Sequence, residues 1–132
     1  MKMPRFPFFL SVALTALLLT ACGSRSRAVV SAMDEAEALL NGRPDSALVI
    51  LQQLDSSSLT TRALQGRYSL LYTMALDKNY RSITTPGLLD AAVRYYGSHG
   101  SPDEKMKTLY YQGRIVLASG NQNGAAVYYF RA

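Results

Sequence analysis

From residue 28 onward the apolar positions recur at three- and four-residue spacings, the period of an amphipathic helix. Ala32, Ala36, Leu39 and Leu40 mark a first helix over 29–40, stopped by Asn41-Gly42. Pro44 suits the first turn of a second helix, with Ala47, Leu51 and Leu54 as its stripe and Asp55 and three serines at its close. A third begins near Thr60 and Thr61, aligns Leu64, Tyr68, Leu71 and Ala75, and fades at 77–79. Residues 80–87 read as a loop punctuated by Pro86-Gly87. Leu89, Ala92, Val93 and Tyr96 mark a fourth helix, stopped by Gly97 and Gly100. Pro102-Asp103-Glu104 opens a fifth, with proline and acids in its first turn. Its stripe is Met106, Leu109, Gly113 and Val116. Gly120-Asn121 breaks it, and Ala125, Tyr129 and Ala132 begin a sixth. No alternating run demands a strand, so the expected fold class is all-α.

The first 27 residues follow another pattern. Lys2 and Arg5 precede an uncharged run over 8–21. That run is shorter than the roughly 20 residues of a membrane span and fits the apolar core of a secretory signal. It closes on Leu19-Thr20-Ala21-Cys22, which resembles a bacterial lipobox. The resemblance implies cleavage between Ala21 and Cys22, a diacylglycerol thioether on Cys22 and an acylated amino group there. One acyl chain holds a protein to a bilayer reversibly, and several make the attachment durable. The expected organisation is a signal peptide over 1–21, a polar tether over 22–27 and a helical domain over 28–132. Residue 23 is Gly, not the Asp of inner-membrane retention, and no acidic run follows Cys22. By the same resemblance, the expected location is the periplasmic face of the outer membrane.

Composition narrows the chemistry. A chain of 132 residues makes one modest domain. With 17% charged and 48% hydrophobic residues it is not a disordered tail. One Cys excludes an intrachain disulfide framework and a Cys-cluster zinc site, and one His argues against a His-based metal site or triad. Losing Lys2 and Arg5 with the signal lowers the net charge from +5 to +3. The remaining cations are scattered, so nucleic acid is not an expected partner.

The helical region repeats itself. Gly42, Ala47, Leu51 and Leu54 share their spacings of 5, 4 and 3 with Gly120, Ala125, Tyr129 and Ala132. This resembles the turn and second helix of a tetratricopeptide repeat. Leu109 and Gly113 match that family's large residue and glycine on the first helix, and Val116 replaces its tyrosine. Gln65-Gly66-Arg67 echoes Gln112-Gly113-Arg114 at a shift of 47, whereas Ala91 and Tyr95 match Ala125 and Tyr129 at a shift of 34. The middle unit therefore holds an insertion, placed at 80–87 and the end of the third helix. The units run 28–61, 62–105 and 106–132, the last incomplete. Glu35 falls where the family has a small residue, which gives the first unit a cap-like character. The resemblance implies an α-solenoid of helical hairpins, and the chain is expected to be an N-terminal fragment of a longer protein.

Catalytic chemistry is not expected. His99 reads as a C-terminal helix cap. The acids at 34, 35 and 37 and at 103 and 104 read as solvated helix faces, and Ser56-Ser57-Ser58 as a turn. No phosphate-cradling glycine loop occurs, and neither a metal nor a cofactor is expected. The enrichment is tyrosine, nine in all, with pairs at 95–96, 110–111 and 128–129. In the family that the repeats resemble, the first helix of each hairpin lines a concave surface. Lys107, Tyr110 and Arg114 share one face of such a helix. A ring flanked by two cations would suit an acidic or C-terminal peptide segment. The expected function is thus a membrane-anchored, periplasmic scaffold for protein or peptide partners, held to the membrane by its lipid. The alternatives are the sensor or regulatory region of a larger signalling protein and an envelope-assembly lipoprotein. Partner identity and oligomeric state are not encoded legibly.

Overall fold

The computed structural model describes the backbone of residues 6–132 and the side chains of residues 23–132. Among these residues it is all-helical: α1 (Phe6–Leu39), α2 (Pro44–Gln52), α3 (Arg62–Lys78), α4 (Asp90–His99), α5 (Pro102–Ala118) and α6 (Gln122–Arg131). A single 3-10 turn, Ser56–Ser58, follows α2. The side chains of the lipobox, Cys22 included, lie outside the described residues. The polar segment expected as a tether continues α1 from residue 23 instead of interrupting it. Within it Arg27 Nε donates to the Gly23 carbonyl at 3.2 Å, and Arg25 reaches Asp55 at 3.0 Å. Among the described residues no helix is long and apolar enough to cross a membrane.

The helix ends have local causes. Thr61 caps α3 by accepting from the Leu64 amide at 3.2 Å. Ser101 and Glu104 form a capping box on α5: the serine accepts from the Glu104 amide at 3.3 Å, and the carboxylate accepts from the Ser101 amide at 2.8 Å. Asn121 does the same for α6, accepting from the Gly124 amide at 2.8 Å. After α5 the chain reverses at Gly120, whose φ of +86° is a left-handed conformation that a side chain would disfavour. The three serines fold into their turn because Asp55 accepts from the Ser57 amide at 2.9 Å. The bonds from Ser57, and Arg25 beside it, hold the Asp55 carboxyl below the usual carboxylate range.

Each helix packs on the next in sequence, as α1 with α2, α3 with α4 and α5 with α6. The pairs are joined because α2 lies on α3 and α4 on α5, and α3 also touches α1 and α5. One apolar cluster fills the first junction, around Val29, Met33, Ala36, Leu40, Ala47, Leu51 and Leu71. A second lies further along, around Leu70, Leu89, Ala92, Tyr96 and Tyr111. Small residues set the closest approaches. A Cβ on Gly66 would sit 2.8 Å from the Tyr95 Cβ, and one on Gly113 would sit 2.5 Å from the Tyr129 ring.

Two details of the expected stripes change. Met106 is 41% exposed, and α5 buries Thr108 and Tyr111 along with the expected Gly113. The reason is that α5 is wedged between neighbours and needs one face toward α3 and α4 and another toward α6. In the first hairpin the fully buried small residue is Ala36, and Glu35 is exposed. The turn between α1 and α2 is one residue longer than that between α5 and α6. The extra length of the middle hairpin is divided between the second half of α3 and the 79–89 connection.

Candidate partner-binding clefts

The arginines that follow the two crossing glycines play matching parts. Arg67 on α3 pairs with Asp34 and Glu37 of α1, both at 2.7 Å. Partial burial works against its charge, but the bonds to Glu37 and Asp34 more than offset this and raise its pKa. Arg114 on α5 grips Asp77 of α3 with two bonds, 3.2 Å from Nε and 2.5 Å from Nη2. The Asp77 bonds, working against some desolvation, also raise the Arg114 pKa. The Asp77 side chain is only 16% exposed. Each arginine thus ties its helix to the first helix of the preceding hairpin. Such fork-to-carboxylate pairs are geometrically specific.

These pairs alter the reading of the Lys107, Tyr110 and Arg114 face. Lys107 lines a cleft of about 390 Å³ between α1, α3 and α5, together with Glu37, Arg67, Met74 and Tyr96. Its ammonium already meets Asp103, one turn earlier, at 2.6 Å. Arg114 lines a separate cleft of about 440 Å³ beside Tyr80, Ile83 and Leu117. Tyr110 lines neither cleft. It is 42% exposed, with its ring edge-on to Tyr111 at 5.2 Å and tilted against Tyr129 at 5.6 Å. Tyr110 is therefore available to a ligand, whereas both cations have intramolecular partners.

Two of the tyrosine pairs divide between core and surface, and Tyr128 and Tyr129 are both half-buried. Tyr96 and Tyr111 are buried, and their neighbours Tyr95 and Tyr110 are less so. Burial, followed by the Glu104 carboxylate, pushes Tyr96 up to about 12. Burial, followed by Asp77, does the same to Tyr111. A tyrosine in the unfolded chain ionises near 10. The neutral phenols therefore stabilise the fold fully below pH 10, and that contribution is lost as the pH rises through about 12. In an alkaline titration these two phenolates should appear last and together with loss of helical circular dichroism. Complete phenolate absorbance below about pH 11 with the helices intact would contradict this assignment.

A further cleft, of about 350 Å³, lies where the start of α3 meets the end of α4. Arg62 and Gln65 face it from α3, and Arg94, Tyr95, Ser98 and His99 from α4. The Gln65 amide donates to the Leu59 carbonyl at 2.9 Å. His99 occupies the helix end, its Nδ1 lying 3.3 Å from the Tyr95 carbonyl and 2.8 Å from Ser98 Oγ. Its ring stacks on Tyr95 at 5.0 Å and 5°. Arg62 and Arg94 are 32 positions apart, and no spacing along the chain links them. The close crossing of Gly66 and Tyr95 brings them together. Among the described residues no three of His, Cys, Asp and Glu gather as a metal site would require.

Comparison of the chain with family models, with curated proteins and with solved structures found no match.

Proposed function

We propose that this chain is a lipid-anchored scaffold of tetratricopeptide-like hairpins in the periplasm, which binds protein or peptide partners. The observation that carries the scaffold reading is the recurrence of one helix crossing. Gly66 meets Tyr95 in the second hairpin and Gly113 meets Tyr129 in the third, each tyrosine four residues after an alanine. The arginine after each glycine reaches back to the preceding hairpin. Repeated crossings and repeated ties favour a stack in which each hairpin contacts its neighbours, and such stacks serve as rigid binding surfaces. The anchor rests on Leu19-Thr20-Ala21-Cys22 behind its apolar run. Partner binding is assigned to the exposed α5 surface around Tyr110, its aromatic contact. Aromatic residues are the usual anchors of such interfaces.

The test uses the full chain in a Gram-negative host. The wild type should incorporate labelled palmitate and enter the detergent phase. Cys22→Ala should lose the label completely and accumulate as uncleaved precursor. Label retained on Cys22→Ala would refute the anchor. In the same cells, Tyr110→Ala should weaken crosslinking to envelope proteins several-fold with little change in melting temperature. Unchanged crosslinking would remove Tyr110 from the binding face.

A further inference from the structure

The α3–α4 cleft gathers two arginines, Arg62 and Arg94, neither of which is held by a close acid. Arg25, Arg67 and Arg114 each bond an acid within 3.0 Å. Arg62 has no ion pair among the described residues. Arg94 makes one loose contact, 3.9 Å from Asp90, with both side chains exposed. No acid lines the cleft between them. Two guanidinium groups therefore face one small opening with little to neutralise them. Guanidinium groups bind oxyanions through paired, charge-assisted bonds.

The remaining wall is flat and aromatic. His99 lies parallel to Tyr95, and both rings line the cleft. The Ser98 hydroxyl stands beside it, 2.8 Å from His99 Nδ1. The volume of about 350 Å³ is at the small end of ligand pockets, enough for a ring and one anionic group. One unpaired and one loosely paired cation match a dianion better than a monoanion, and a phosphomonoester carries close to two negative charges at neutral pH.

We propose that the Arg62–Arg94–His99 cleft is a binding site for a small soluble phosphomonoester bearing a planar ring. The phosphate lies between the two guanidinium groups, and the ring lies against the Tyr95–His99 pair. The site depends on neither the lipid anchor nor the partner-binding face.

The full chain in non-ionic detergent is titrated with phenyl phosphate, inorganic phosphate, benzoate and phenol at constant ionic strength, followed by amide NMR. Phenyl phosphate should give saturable shifts confined to residues 62–65 and 91–99. Inorganic phosphate should bind about fivefold more weakly for want of the ring. Benzoate should also bind more weakly, and phenol should not saturate. The double variant Arg62→Glu plus Arg94→Glu should lose at least about tenfold in affinity. The double variant Arg43→Glu plus Arg131→Glu, with the same charge change at exposed sites remote from the cleft, should bind as the wild type does. Circular dichroism of both checks that the helices persist. Absence of saturation, shifts spread over all exposed arginines, or equal losses in the two double variants would each overturn the proposal. So would phosphatidylglycerol vesicles that bind through Arg62 and Arg94 while phenyl phosphate does not, because the site would then recognise a lipid headgroup.

Discussion

Leu51→Ala should cost about 3 kcal/mol of unfolding free energy, within the roughly 2–5 kcal/mol typical of a fully buried leucine. Leu51 has no exposed surface, and it sits in one cluster with Met33, Ala36, Leu40, Ala47 and Leu71. Those residues come from three helices, so the gap left by the side chain has several walls that cannot all move inward. Lost transfer free energy and lost packing both contribute. Val49, two residues away on the same helix, is 51% exposed. Val49→Ala should stay within about 0.5 kcal/mol of the wild type. Urea denaturation of the three proteins checks the contrast. Similar midpoints for Leu51→Ala and the wild type would mean that the first junction is not a packed core.

The second large effect is expected at a residue without a side chain. An alanine at 66 would place its Cβ 2.8 Å from the Tyr95 Cβ and 3.3 Å from the Ala91 carbonyl oxygen. Both atoms are fixed to the α4 backbone, so relief requires the two helices to part. Overpacking of this kind costs about 1–3 kcal/mol. Replacing glycine within a helix recovers up to about 1 kcal/mol. The net expectation for Gly66→Ala is a loss of about 1 kcal/mol, the middle of the overpacking range less the helix gain. Gly113→Ala is the instructive control. Its Cβ would meet atoms of the Tyr129 ring at 2.5 and 2.8 Å, which is closer still. That ring is only half-buried and can swing away, so Gly113→Ala should be close to neutral. If Gly113→Ala destabilises more than Gly66→Ala, ring mobility is the wrong explanation for the difference.

Gly66→Ala should also disturb the α3–α4 cleft, since the same crossing brings Arg62 toward Arg94. Leu51→Ala lies in the other cluster and should leave that cleft in place. The two substitutions therefore separate the two halves of the molecule. Loss of stability at Leu51 with phenyl phosphate binding retained would indicate that each junction holds its own geometry.

Helix positions were legible along the chain because their causes are local. A 3.6-residue period, Pro44 and Pro102 in first turns and Gly120 beyond a last turn act within a few residues. The Ser101–Glu104 capping box is likewise contained in four positions. The shifts of 47 and 34 showed that the middle unit is longer, whereas the pairing of Gly66 with Tyr95 and of Gly113 with Tyr129 came only from the structure. Face assignments travelled less well. Met106 belongs to an apolar stripe by spacing, yet α5 turns Thr108 and Tyr111 inward because it has neighbours on two sides. At the first hairpin the fully buried small residue is Ala36, one position after the exposed Glu35.

Charge partners needed the tertiary structure altogether. Residues 107, 110 and 114 share a helix face by spacing alone, but Asp77 lies 37 positions before the arginine that it binds. Arg62 and Arg94 are unremarkable in the sequence and become a candidate site only across two helices. Among the described residues the chain itself determines the helices from 29 onward, most of their ends and the small residues at their crossings, because those features arise from backbone geometry and neighbours a turn apart. The extension of α1 back through the expected tether was not legible. Which cations are neutralised and which remain open is decided by the axial offset between packed helices. That offset depends on turn length and on side-chain volume at each crossing, and an ion pair is made or lost within a few ångströms of it.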